Sequence, residues 1–244
     1  MAYSSAEKEF YQRHYAGGLG TAKRAAVADT QALHFAPGKR YHLIMDELDP
    51  QRRYGTAVEI GCSDGDCAVF LHNRFKFDQV IGIDIAFPDD MQREVAGVKF
   101  MQANSNEKLP LEDASVEVYV AMMVIEHLFD PFHAFRDIKR VLAPDGMAFV
   151  NLPLVTSIKN RVRLLCGQVP ITSVPFDRWF VDKEWDGNHL HYFSLDSIRR
   201  LADLCGLVVT RVACVGPRYQ WKNLAPSFLA NELSFVMKHK DRPR

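Results

Sequence analysis

Three histidines stand where this 244-residue chain could move a proton. His127 lies in Ile125-Glu126-His127-Leu128, and His189 and His191 flank Leu190 in the run Asn188-His189-Leu190-His191-Tyr192-Phe193. Imidazole titrates near neutrality, so each could serve as a general base toward an oxygen or amine nucleophile. The competing reading for each is structural: a helix cap or a satisfied core histidine. Glu126 could orient His127, although an exposed position facing solvent is the plainer expectation for it. A bare His-x-His is also a conceivable metal pair. No carboxylate motif accompanies it, and no metal is expected.

A second constellation lies earlier. Residues 57–66 read AVEIGCSDGD, an apolar run, a glycine-bearing turn and the start of a helical pattern. Glycines at such a turn let the backbone reverse sharply and let a ligand come close. The crevice beyond the carboxyl end of a first strand is the favoured ligand site in open α/β sheets. A dinucleotide fingerprint would need glycines at 61, 63 and 66, but the chain has Gly61, Ser63 and Asp66. An acid at 66 is a poor neighbour for pyrophosphate, which argues against a nicotinamide or flavin. Asp84 ends the next apolar run, VIGID at 80–84, where a carboxylate can accept both hydroxyls of a ribose. Glu59, the turn and Asp84 at this spacing favour a nucleoside-bearing ligand over a helix cap or surface acid.

Elements must hold these groups in place. Apolar runs recur at 57–60, 80–85, 98–101, 116–122, 147–152, 207–212 and 233–237, and helical spacing fills about 38–49, 65–74, 88–95, 130–142 and 195–205. Short apolar strands alternating with helices predict a parallel sheet covered on both faces. Asp130-Pro131 can cap and open a helix, and Pro144-Asp145-Gly146 can end it and turn into the next strand. Ser194 can cap the helix that stops at Gly206. Residues 1–36 read as a helical lid segment in which Tyr11, His14 and Tyr15 either cover the ligand or pack on the sheet. Residues 37–244 form one domain. Within it, 153–193 break the alternation and carry Trp179, Phe180 and Trp185, which could stack on a flat or sugar-like substrate or form a small satellite core.

Thirty basic and thirty acidic residues leave the chain formally neutral, which disfavours broad nucleic-acid binding. Five cysteines without a CxxC pair fit a reducing compartment rather than a disulfide framework or a zinc knuckle. The first residues are polar and charged, and no run is long and apolar enough to span a membrane. A cytoplasmic location is therefore expected, with a homodimer left open.

The segments VEIGCSDG (58–65), VIGIDIA (80–86), EKLPLEDASVEVYVAMMVIEHLFDP (107–131), VLAPDGMAFVNLP (141–153) and HYFSLDSIRRLADLCGL (191–207) together resemble the class I S-adenosylmethionine-dependent methyltransferases, in particular their broad small-molecule group. The resemblance covers about 57–214. It implies a doubly wound seven-stranded sheet in the order 3-2-1-4-5-7-6, with the last strand antiparallel. It implies that Glu59 and the Gly61-Cys62-Ser63-Asp64-Gly65 turn hold the methionine end of the cofactor. Asp84 would bind the ribose, Ile85 would pack on the adenine, Asn104 or its neighbour Ser105 would meet the adenine amine, and Ala121 and Met122 would line the sulfonium side. Two positions depart from the pattern: Ser63 replaces the middle glycine, and Asn104 stands where an Asp is common.

Methyl transfer from a sulfonium is a displacement that alignment alone can accelerate strongly. The reading that follows is methylation of an oxygen, or else a nitrogen, of a small polar metabolite or sugar-bearing molecule. His127, His191 and His189 are the candidate bases. No N-P-P-[YF] motif follows the fourth strand, which disfavours base methylation of DNA. A catalytically silent cofactor-binding protein of the same fold is the alternative. A dehydrogenase of similar architecture ranks behind both.

Overall fold

The computed structural model describes residues 35–87, 93–173 and 189–240. The lid expectation for 1–36 therefore lies almost wholly outside the described residues, as do Trp179, Phe180 and Trp185.

The described chain runs α1 (His42–Glu47), β1 (Arg53–Ile60), α2 (Asp66–Arg74), β2 (Lys76–Asp84), β3 (Glu94–Val95), β4 (Val98–Gln102), β5 (Val116–Met122), a single 3-10 turn (Ile125–His127), α3 (Pro131–Val141), β6 (Leu142–Pro153), α4 (Ile158–Leu165), α5 (Leu195–Leu204), β7 (Leu207–Cys214), the short α6 (Tyr219–Lys222) and α7 (Pro226–Leu229), and β8 (Glu232–His239). The strands form one sheet in the order β3-β4-β2-β1-β5-β6-β8-β7. Pairing is parallel from β4 through β6, and β8 is antiparallel to both its neighbours. All seven expected strands are present in the expected order.

Strand alternation splits the core in two. Val58, Ile60, Ile81, Ile83, Ala121 and Val150 point to one face, where Phe135 and Ile138 of α3 and Ile198 and Ala202 of α5 cover them. Ala57, Val80, Val118, Val120 and Phe149 point to the other, beneath Leu43 and Ile44 of α1 and Ala68 and Leu71 of α2. Burial on both faces explains why these strands read as unbroken apolar runs. Asp130 caps α3 by accepting from the Phe132 amide, and Ser194 and Ser197 form a reciprocal capping box on α5. Among the described residues, no helix is long and apolar enough to cross a membrane.

Two expectations change. The helical spacing at 88–95 does not continue to its end: Glu94 and Val95 form β3, a two-residue hairpin arm antiparallel to β4 that makes the sheet eight-stranded. Residues 88–92 lie outside the described residues. Secondly, β6 begins at Leu142, directly after α3, and runs through Pro144-Asp145-Gly146. That triplet makes a register shift opposite Val116 and Val118 instead of a free turn. Val116 pairs with Leu142, so the sheet captures the chain before the turn residues can loop it out.

The turn after β1 is held by left-handed backbone at alternate positions: Gly61 at φ 68°, Ser63 at φ 53° and Gly65 at φ 80°. A Cβ on Gly61 would lie 2.5 Å from Val124 Cγ2, and one on Gly65 would overlap the Phe100 ring. The glycines are thus demanded by the protein's own packing as well as by any ligand. Gly65→Ala should lower stability by about 2 kcal/mol or more, from left-handed strain plus overlap. Ser63→Gly, with no clash to relieve but the same strain, should raise it by about 0.5–1 kcal/mol. Chemical denaturation of both variants checks the opposite signs.

Candidate functional site

At the carboxyl end of β1, Glu59 is only 2% exposed. Its Oε1 accepts a hydrogen bond from the Tyr41 hydroxyl at 2.8 Å, and its Oε2 has no hydrogen-bond partner among the described residues. Burial, reinforced by Asp64 and Asp84, pushes its carboxyl up to about 8 against the pull of the Tyr41 bond. The same burial drives the Tyr41 phenol well above its ordinary range. An ammonium beside Oε2 would supply the missing partner and restore the charged form. The methionine end of S-adenosylmethionine carries such a group, so the residues present fit that end of the cofactor.

Asp84 closes the other side of the turn. Its Oδ2 accepts from the Ser63 amide at 2.8 Å, and its Oδ1 accepts from the Ile85 amide at 2.7 Å. Desolvation raises its carboxyl, while the Ser63, Ala86 and Ile85 amides offset part of that. The left-handed backbone at Ser63 aims its N–H at Asp84, so the residue that departs from the glycine pattern joins the two strand ends. Cys62 is buried, and burial pushes its thiol far above the ordinary range. Only the backbone of Cys62 is therefore suited to a ligand.

The residues expected on the adenine side lie together. Ala103 N–H donates to the Asp84 carbonyl at 2.9 Å, and the Gln102 amide nitrogen donates to the Ile85 carbonyl at 2.9 Å. Asn104 Oδ1 accepts from the Asn106 amide at 3.0 Å, which folds the segment into a local turn. The same oxygen also accepts from the Asn106 side-chain amide at 3.3 Å, so both of its lone pairs serve the turn.

Beyond β5, Ala121 is buried and Met122 is half-buried. Met123 follows with φ 58°, its amide donating to the Asn151 carbonyl at 3.1 Å. Left-handed backbone in a non-glycine residue at a strand end is stored strain of a kind that clusters at functional sites. It re-aims the chain so that Val124 covers Gly61 and the 3-10 turn carries Glu126 and His127 inward.

Glu126 is 0% exposed, which corrects the expectation that it faces solvent. Neither carboxyl oxygen has a hydrogen-bond partner among the described residues. Desolvation pushes its carboxyl up to about 8, against the pull of its own backbone amide and then of the Arg40 charge. Arg40 itself is held by Glu232, at 2.6 Å and 3.1 Å. The Glu126 carbonyl accepts the Leu190 amide at 2.9 Å and the His191 amide at 3.3 Å, tying the segment after the aromatic insertion to the end of β5.

The three candidate histidines part company here. His127 Nε2 and His189 Nε2 each lie 4.0 Å from Glu126 Oε1, and the two rings meet edge-on with centroids 4.8 Å apart. The Nδ1 of His189 is 2.6 Å from the Thr172 hydroxyl. His191 turns away, its Nε2 3.2 Å from the Phe129 carbonyl. Tyr41, Arg40 and Thr172 were not singled out by sequence. Polar side chains in unremarkable segments leave no periodic or spacing signal, and only their contacts reveal them.

The methyltransferase-domain family matches residues 32–212. A relative in Mycobacterium tuberculosis (strain CDC 1551 / Oshkosh), named a probable S-adenosylmethionine-dependent methyltransferase, is 34% identical over 172 residues, 69% of this chain and 57% of the relative. A malonyl-[acyl-carrier protein] O-methyltransferase of Methylovorus sp. (strain MP688) is 29% identical over 116 residues, 43% of this chain and 39% of that protein. The chain thus spans little more than half the length of such curated relatives. Among solved structures, a Burkholderia thailandensis 1,6-didemethyltoxoflavin-N1-methyltransferase with bound S-adenosylhomocysteine shares the fold at TM-score 0.57 and 14% identity, covering 99% of this chain and 92% of that one. With the sheet order, the turn after β1 and a match over residues 32–212 all in agreement, the chain belongs to the methyltransferase-domain family.

Proposed function

We propose that this chain transfers a methyl group from S-adenosylmethionine to an oxygen, or in second place a nitrogen, of a small polar metabolite or sugar-bearing molecule. The observation that carries the reading is the pairing of a buried, half-satisfied Glu59 with Asp84 across the Gly61–Gly65 turn. Glu59 would take the cofactor's ammonium, Asp84 its ribose hydroxyls, Ile85 and Asn104 its adenine, and Ala121 and Met122 its sulfonium side. S-adenosylmethionine supplies an electrophilic methyl on a neutral leaving group. The chain supplies alignment and a place for the acceptor's proton.

The acceptor side is the buried cluster after β5. An attacking hydroxyl must lose its proton, and Glu126, His127 and His189 form the group of polar side chains brought together there. His191, bonded to Phe129, would instead shape the wall and keep the segment in register. The O-methylating relative in Methylovorus supports oxygen as the acceptor atom.

Calorimetry with S-adenosylmethionine and S-adenosylhomocysteine, with NAD as control, tests the cofactor half. Micromolar binding of the first two alone supports it, and no binding of either overturns it. Asp84→Ala should cost about 1–3 kcal/mol of cofactor affinity through lost charge-assisted hydrogen bonds. Unchanged affinity would remove Asp84 from the site.

Glu59 gives a test with two signs. Its folded pKa, about 8, lies above its ordinary 4.5. The unfolded chain therefore ionises first, and stability is lost as pH rises through that window. Glu59→Gln should stabilise the cofactor-free protein by about 1–3 kcal/mol at pH 8 and by little at pH 4.5. The same variant should bind S-adenosylmethionine more weakly. A gain in stability without a loss of affinity would leave Glu59 a structural residue.

Methyl transfer from labelled cofactor to a panel of polyols, sugars and hydroxy acids tests the acceptor half. On a positive acceptor, His127→Ala should lower turnover at least tenfold with cofactor affinity unchanged. Full activity in that variant would place the proton's acceptor elsewhere.

A further inference from the structure

We propose that Glu126, His127 and His189 hold a divalent first-row transition-metal ion at the carboxyl end of β5, with Thr172 fixing the His189 ring. In its catalytic role the ion rests on the methyl-transfer reading above: it would be the means by which the cluster makes an acceptor hydroxyl acidic. The binding site itself stands on geometry alone.

One potential ligand atom from each of the three residues lies within 4.8 Å of the others. Both imidazole Nε2 atoms are 4.0 Å from the same Glu126 oxygen, too far for hydrogen bonds. Nitrogen and oxygen ligands sit about 2.0–2.2 Å from a zinc-like ion, so the three side chains need to close by roughly an ångström around a common centre. Small side-chain rotations provide that.

The independent observation is Glu126. Its carboxyl is fully buried, and neither oxygen accepts a hydrogen bond from another of the described residues; only its own backbone amide lies near enough to act on it. A buried carboxylate is retained when it is paired or coordinates a metal. The backbone of Glu126 is what binds the 189–191 segment, through the amides of Leu190 and His191. The side chain is therefore delivered to the two imidazoles without being spent on holding the fold. Arg40, the cation that acts on Glu126, is neutralised by its two bonds to Glu232, which lowers its opposition to an incoming ion.

Thr172 completes the arrangement. His189 Nδ1 and the Thr172 hydroxyl are 2.6 Å apart; in the tautomer where Nδ1–H donates to that hydroxyl, the lone pair is on Nε2, the nitrogen that faces Glu126. Metal-ligating histidines commonly have their other nitrogen fixed in this way. His127 keeps a side chain 20% exposed beside the buried Glu126 and His189, so the site opens on one side. Three protein ligands with an open position is the pattern of a catalytic ion. Two nitrogens and one oxygen suit zinc, manganese, iron or cobalt better than magnesium or calcium, which prefer all-oxygen sets.

With the ion bound, the two imidazoles would act as its ligands and not as bases: the ion would make an acceptor hydroxyl at the open position acidic, and the proton would leave to solvent. The oxygen would then bond the methyl carbon as the carbon–sulfur bond breaks, with that electron pair staying on sulfur. His127→Ala would lower turnover in this case through loss of a ligand. The expectation that no metal binds rested on the lack of a carboxylate beside His189 and His191 in sequence. The carboxylate comes from a distant segment, and the imidazole partnered with His189 is His127.

The 244-residue chain, stripped with chelator and loaded with Zn2+ or Co2+, tests this without any acceptor. One ion per chain by elemental analysis, with the visible bands of a nitrogen- and oxygen-bound Co2+, is the expected result. Glu126→Gln and His189→Ala should each weaken Zn2+ binding at least tenfold, and Thr172→Val, a milder change that keeps the volume, about tenfold. Circular dichroism and cofactor calorimetry on the same samples report whether each variant is folded. No ion retained by the wild type, or equal affinity in folded Glu126→Gln and Thr172→Val, overturns the site. Metal lost with S-adenosylmethionine still bound sinks the ion and leaves the methyl-transfer reading standing. Metal held without cofactor binding does the reverse.

Discussion

Two carboxyl groups with no access to water organise this molecule. Glu59 ends β1, and Glu126 follows β5, the strand beside it. Both are buried, and desolvation lifts both toward neutrality. A parallel sheet covered by helices on both faces offers no solvent at its strand ends except through the crevice. An acid placed there must find a donor, stay protonated or await a ligand. Tyr41 and Arg40 bring a hydroxyl and a positive charge to this region from the segment leading into α1.

That segment is itself fixed by several independent contacts. Arg40 binds Glu232 at the start of β8, and its carbonyl accepts from Ser234, whose hydroxyl also accepts from Asn151 of β6. The Gly38 carbonyl accepts from the Gly216 amide, and a Cβ on Gly38 would meet the Tyr219 ring at 2.5 Å. The far edge of the sheet thus sets where Tyr41 and Arg40 sit. The polar chain from β6 and β8 through Arg40 toward Glu126 couples the antiparallel strand to the crevice, which pairing alone would not do.

Backbone strain does the aiming. Ser63 and Met123, both left-handed and neither glycine, lie in the two chain reversals that border the crevice. Ser63 turns its amide onto Asp84. Met123 turns the chain so that Val124 packs over Gly61 and Glu126 points inward. The two turns fit each other through the Val124–Gly61 contact, so the geometry of one constrains the other.

Sheet, strand order and the turn after β1 were legible because local signals carried them. Runs such as 80–83 and 118–121 are buried on both faces, so they read as unbroken stretches without a charge and stand out. Asp130-Pro131 and Ser194 are caps whose chemistry is complete within four residues. Glu59, Gly61, Gly65 and Asp84 lie in or beside one β-turn-α-β unit, at a spacing the chain itself sets. The cluster after β5 was not legible in that way. Burial of Glu126, the meeting of His127 and not His191 with His189, and the contact of Thr172 with His189 all depend on where the 172 and 189–191 segments lie relative to the end of β5. Such long-range approach is decided by packing and by the amides of Leu190 and His191 finding one carbonyl, none of which leaves a pattern along the chain. The amino-acid sequence by itself determined the fold and the turn that joins Glu59 to Asp84, because their information is local. The tertiary structure alone decided which acid and which imidazoles meet, because those contacts join segments far apart in the chain.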